Sequence, residues 1–180
     1  MATIHGRQPA RATTPVRIPM GDEWLHGDFG SPPVPHGVVV FAHGSGSSRH
    51  SSRNQRVARA LEDAGFATLL IDLLTADEEV VDSQTAHLRF DIPLLAGRLV
   101  VIVDWLRRWA ETASLPVALF GASTGGGAAL VAAAARPNAV AAVVSRGGCP
   151  DLAGPALAHV TAPTLLIVGE LDTPVVRMNR

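Results

Sequence analysis

The chain has 180 residues, 47% hydrophobic and 17% charged, which suits one globular domain with a real core and excludes a disordered chain. A net charge of −1 gives no electrostatic case for nucleic acid or an anionic membrane surface. All 15 basic residues are Arg, so a Walker P-loop and Schiff-base chemistry are excluded for want of Lys, and the single Cys149 excludes an intrachain disulfide framework or a thiolate zinc cluster.

Residues 1–14 are polar without apolar periodicity and read as a loose tail, leaving one domain over 15–180. Val16 to Ile18 and Glu23 to Phe29 read as two short strands around Met20-Gly21-Asp22, an antiparallel edge hairpin. After the loop 31–37, Val38 to Ala42 is a continuous apolar, β-branched run, as in a strand buried on both faces. A Gly/Ser loop, 43–50, leads to a helix from about Asn54 to Ala64, with Val57, Ala60, Leu61 and Ala64 on one face and Gly65 as its stop. Phe66 to Ile71 is the next buried strand, ending at Asp72. The mixed segment 75–92 reads as a crossover above the sheet. Pro93 to about Trp109 is an amphipathic helix on Leu95, Leu99, Ile102, Val103 and Leu106.

Pro116 to Phe120 then reads as a buried strand, and Ala128 to Ala135 as a helix. Between them stands Gly121-Ala122-Ser123-Thr124-Gly125-Gly126-Gly127. A strand, a sharp turn with Ser at its tip, then a helix is the context in which G-x-S-x-G becomes a nucleophile elbow. The Ser must stand clear of the sheet for a carbonyl to reach it, and the flanking Gly residues let strand and helix approach closely. The N–H of Thr124, in the first helical turn, points to the place where an oxyanion would develop. The bland alternative is a tight turn filled with small residues.

Val140 to Ser145 reads as another buried strand, 155–159 as a helical turn, and Thr164 to Val168 as a last buried strand before Gly169-Glu170-Leu171-Asp172-Thr173-Pro174. From residue 38 on, strands alternate with helices, which implies an α/β fold: a mostly parallel sheet, helices on both faces, and the hairpin at one edge. In such sheets the site lies beyond the carboxyl ends of the strands, which brings the His43 loop, Asp72, Ser123, Arg146 and Asp172 to one mouth. Asp72 reads as a loop anchor. Arg146 has two balanced readings: a bidentate clamp on a substrate carboxylate, or an ion pair with Asp151 or Asp72. Cys149 reads as a packed residue. The loop 44–49 resembles a phosphate nest only weakly, lacking the third Gly of a dinucleotide fingerprint.

His43-Gly44 after a buried strand, Gly121-x-Ser123-x-Gly125, the Ser145-Arg146-Gly147-Gly148 turn and the Gly169 to Pro174 run stand in the order of an α/β-hydrolase. From about residue 16 to 180 the chain resembles the dienelactone hydrolase-like branch of that superfamily. The resemblance implies Ser123 as nucleophile, Asp172 as the triad acid, and the backbone N–H of Ser45 beside that of Thr124 as oxyanion donors, with His43 shaping the loop. It implies a small-molecule ester substrate, no cofactor and no metal. Ser stands where dienelactone hydrolase itself has Cys, which points toward general ester hydrolysis.

The family order is nucleophile, acid, then His. Only residues 173–180 follow Asp172 and none is His, so against the family the last strand and helix are missing, and the general base with them. Of the seven His residues, His5, His26 and His36 read as surface residues, His159 lies at the wrong end of a strand, and His50 is far out on its loop. His87, and less so His43, are the stand-ins to consider. Two functional readings stand: a serine hydrolase of small esters, and a non-catalytic scaffold that self-associates through its uncovered C-terminal strand. No secretory h-region and no apolar run of membrane-spanning length is seen, so a cytoplasmic protein with no membrane partner is the expectation.

Overall fold

A computed structural model of the chain describes residues 13–179. The expected tail lies outside these residues up to position 12, and Thr14 already belongs to a strand. The hairpin is longer than its apolar residues suggest: β1 spans Thr14–Met20 and β2 Glu23–Gly30, joined at Gly21, whose φ of 66° is a value that two-residue hairpin turns need. Alternation places Ile18, Leu25 and Phe29 inside.

Five further strands complete the sheet: β3 (Val38–Ala42), β4 (Ala67–Ile71), β5 (Val117–Ala122), β6 (Val140–Arg146) and β7 (Thr164–Ile167). Their order is β1-β2-β4-β3-β5-β6-β7. β1, β2 and β4 pair antiparallel, and every pair from β4 through β7 is parallel, as the alternation of strands and helices implies. All five residues of β3 and of β4 are buried, because helices cover both faces.

The larger core lies under α3 (Ile92–Leu106) and α4 (Thr124–Ala135). The expected stripe Leu95, Leu99, Ile102, Val103 and Leu106 is buried in full, so Leu99→Ala would cost about 2–5 kcal/mol. α4 presents only small residues, Ala128, Ala129, Ala132 and Ala133, which lets it lie close on the sheet. The opposite face holds a smaller core, Val39, Phe41, Leu70 and Phe120 against Ala58 of α1 (Ser52–Asp63).

Three expectations need correction. α1 does not bury the stripe that includes Ala60 and Ala64, both exposed; its most buried residues are Asn54, Ala58 and Glu62. The helix is turned by polar anchors, because Glu62 accepts a 2.5 Å hydrogen bond from the Thr68 hydroxyl and Asn54 accepts one from Arg146. The crossover 75–92 contains a helix, α2 (Ala76–Thr85), started by a capping box between Thr75 and Glu78. β7 is exposed at every residue: it pairs with β6 alone, and among the described residues no strand lies at its outer edge. A short helix, α5 (Thr173–Met178), ends the described chain.

Candidate active site

The chain leaves β3 for β4 on one side, and β5 lies on the other side of β3. The loops after β3 and β5 therefore diverge, opening a crevice at the carboxyl ends of these two strands. Both loops carry the residues singled out from the sequence.

Ser123 is the tip of the turn between β5 and α4. Its φ of 52° and ψ of −123° lie where a residue with a Cβ is strained, and its side chain is exposed. Among the described residues its hydroxyl has no hydrogen-bond partner. The turn holds this shape through its backbone: the Ser123 N–H donates to the Arg146 carbonyl at 3.3 Å, and the Gly126 N–H donates to the Ser123 carbonyl at 2.9 Å. Two glycines are required here by space. A Cβ on Gly121 would run into the backbone of Gly125 and Gly126, and a Cβ on Gly125 into the carbonyls of Ala42 and His43. α4 is thereby drawn against the end of β3, and Gly44 sits under the Ser123 Cβ.

The β3 loop is fastened at three points. His43 Nε2 accepts the Leu73 N–H at 3.3 Å, so its proton is on Nδ1, which donates to the Gly44 carbonyl at 3.0 Å. Both ring nitrogens are thus used inside the loop, the role of a loop-fixing residue. The Ser45 N–H donates to Thr124 Oγ1 at 3.0 Å, joining this loop to the first turn of α4. Asp72 accepts the Arg49 N–H at 2.8 Å and pairs with the Arg49 guanidinium, which also faces Asp28 at 3.4 Å. Asp72 is therefore a loop anchor. A cavity of about 20 Å³, near the size of one water, lies between this loop, Thr124 and Arg89.

The wall above the mouth is pinned by Asp82 at the end of α2. Burial alone would raise its pKa, but hydrogen bonds from the Arg89 backbone and side chain and from the Leu88 N–H hold it below 3.8. The turn Leu88–Phe90 is wrapped on that carboxylate.

Arg146 ends β6. Neither expected ion pair forms: Asp72 is taken by Arg49, and Asp151 is not in reach of a salt bridge. Instead Arg146 Nη2 donates to Asn54 Oδ1 at 3.1 Å, and its Cζ lies 5.9 Å from the Phe120 ring centroid. Its Nε is buried without a partner. Burial, then the nearby Arg53, lowers the pKa of Arg146.

Asp172 stands on the same rim, beyond β7. It is exposed, and its carboxylate accepts the Val175 N–H at 3.4 Å as the cap of α5. Burial pushes the Cys149 thiol up, with Asp151 and Asp172 adding to the effect, so Cys149 is held as a thiol. His87 is exposed, its Nδ1 2.7 Å from the Thr85 hydroxyl. No described histidine is hydrogen-bonded to Ser123. Sequence reading missed Asn54 and Phe120 as neighbours of Arg146, although period-two spacing of Val144 and Arg146 assigns both to the α1 face.

The family model for the alpha/beta hydrolase fold matches residues 37–173. The chain belongs to this family. A crystal structure of dienelactone hydrolase from Anabaena variabilis ATCC 29413 matches this α/β hydrolase chain with a TM-score of 0.91 at 60% identity, covering 93% of this chain and 77% of that one. Two Mycobacterium tuberculosis proteins, from strains CDC 1551 / Oshkosh and H37Rv and provisionally named phosphoribosyl transferases, are 57% identical over 165 residues; the chain spans 36% of their length. An alpha-beta serine hydrolase homologue from Coxiella burnetii matches with a TM-score of 0.69 at 15% identity, over 92% of this chain and 82% of that one, a likeness of fold alone. No helix among the described residues is long and apolar enough to cross a membrane.

Proposed function

We propose that the chain is the core of a serine hydrolase that cleaves a small ester, with Ser123 as nucleophile. The observation that carries this reading is the strained, exposed Ser123 with an unengaged hydroxyl at the crevice of the sheet. The Anabaena dienelactone hydrolase supports the reaction class. In the attack, the Ser123 oxygen bonds to the carbonyl carbon, and the oxyanion is held by the N–H groups of Thr124 and Ser45. The Ser45 N–H already points at Thr124 Oγ1, so the oxyanion competes with that hydroxyl for it.

Asp172 orients the general base in this reading. The base itself lies outside the 180 residues, because His43 is tied at both nitrogens and His87 is engaged by Thr85. The name carried by the mycobacterial proteins is not transferred, since this chain spans 36% of them. The test is hydrolysis of 4-nitrophenyl acetate by the 180-residue chain and by a chimera extended with the C-terminal segment of the Anabaena relative. Activity in the chimera that vanishes in Ser123→Ala is the expected result; activity unchanged by Ser123→Ala refutes the assignment.

A second reading rests on β7. Leu165 is 57% exposed and Ile167 44% exposed on a strand with one free edge, the signature of a surface that pairs with another copy. In this reading the 180-residue chain is a self-associating scaffold. Sedimentation of a clean monomer at all concentrations would refute it.

A further inference from the structure

Ser145 and Arg146 are successive residues of one strand and so face opposite sides of the sheet. Ser145 is buried beside Gly126 and Gly148 on the α4 side, and Arg146 crosses to the α1 side, over Phe120. Its own carbonyl holds the Ser123 N–H, so the guanidinium springs from the residue bonded to the candidate nucleophile.

A guanidinium carries five N–H donors and an obligatory charge. Arg49, Arg89, Arg98 and Arg136 all meet carboxylates. Arg146 does not. It has one neutral acceptor, Asn54 Oδ1, and a buried Nε with none. A second cation, Arg53, lies near enough on α1 to act on it, and Arg53 is exposed and enters no ion pair among the described residues. Two neighbouring cations, one partly desolvated, with no anion between them are unfavourable in the empty site. An oxyanionic ligand removes both penalties.

We infer that Arg146 and Arg53, backed by Asn54 and Phe120, form an anion seat beside Ser123 that receives a carboxylate or phosphate group of the substrate. The seat deepens the hydrolase reading and rests on it for its place in catalysis: an ester anchored there by its charged group would lie across the crevice with its carbonyl near Ser123. Asn54 holds the guanidinium in position when the seat is empty. Arg146 donates two parallel bonds to the incoming oxygens and Arg53 closes the seat from the solvent side.

Calorimetric titration of the 180-residue chain at low ionic strength tests it, with sodium phosphate in one arm and sodium succinate in the other. The wild type should bind at least one of these, and the tighter arm tells which oxyanion the seat suits. Arg146→Gln should weaken binding tenfold or more, Arg53→Gln severalfold, and Arg146→Lys should retain an intermediate affinity, with every variant checked for an unchanged cooperative melt. Ser123→Ala should bind as the wild type does, which separates this seat from the nucleophile assignment: loss of that assignment would leave the titration intact. No binding by the wild type, or equal binding by Arg146→Gln and Arg53→Gln, overturns the inference. In the extended chimera, Arg146→Gln should raise KM for mono-4-nitrophenyl succinate tenfold while leaving kcat/KM for neutral 4-nitrophenyl acetate within twofold; an equal fall on both esters would mean a merely structural role.

Discussion

Ser123 stores strain that a single substitution should release. Its φ of 52° and ψ of −123° are natural to glycine and cost a residue with a Cβ about 1–3 kcal/mol. Its hydroxyl bonds to nothing among the described residues and its side chain is exposed, so deleting the oxygen costs little. Ser123→Ala keeps the Cβ and the strain, and should melt within about 0.5 kcal/mol of the wild type. Ser123→Gly removes the strain, offset by about 0.5–1 kcal/mol of added freedom in the unfolded chain. The net gain over Ser123→Ala is about 1 kcal/mol, or roughly 2–4 °C in Tm for a chain of this size. Paired urea and thermal melts of the three proteins measure it, with equal m-values confirming that the unfolded state is comparable. If Ser123→Gly is no more stable than Ser123→Ala, the turn is not strained, and the argument that this geometry is held for function fails.

Other outcomes follow from the same structure. Gly125→Ala drives a Cβ into the carbonyls of Ala42 and His43 and should cost more than about 3 kcal/mol, or prevent folding; a loss below about 1 kcal/mol in chemical denaturation would contradict the close approach. The Asp82 carboxylate titrates below 3.8 in the folded chain, so its contribution is complete above that value and fades as pH falls through the lower folded value. The stability gap between wild type and Asp82→Asn should therefore be largest near neutrality and shrink below about pH 4, and a gap independent of pH in denaturant melts at pH 7 and pH 3 would refute the pairing with Arg89. Leu165→Lys with Ile167→Lys should convert associated chain to monomer in sedimentation without lowering Tm, because both side chains are exposed in the single chain.

What could be read from the sequence was what depends on local pattern and on burial from both sides. β3 and β4 are apolar throughout because helices cover them on both faces, and the α3 stripe is one-sided because one face meets the sheet. The Gly121 to Gly125 turn was legible because its constraint is steric and falls on adjacent residues. The facing of α1 was not, because long-range hydrogen bonds from Thr68 and Arg146 outweigh a weak apolar stripe. α2 has no apolar period, although Thr75 and Glu78 stand at capping-box spacing and could have revealed it. The exposure of β7 was hidden for the opposite reason: Thr-Leu-Leu-Ile has the composition of an interior strand, and no local rule says whether a neighbour exists. The partners of Arg146 come from residues 92 positions away, a separation no spacing rule spans.

The two rims of the sheet are unlike. β1 carries Pro15 and Pro19, which have no N–H to offer, and Arg17 between them, so nothing can add to it readily. β7 has no such guard. A sheet that can be extended at one side only has a valency of one. Two copies meeting β7 to β7 about a two-fold axis would use up both open rims and leave only guarded ones outside. Association through this strand therefore stops at a pair, and the same exposed Leu165 and Ile167 that invite contact cannot by edge pairing propagate a fibre.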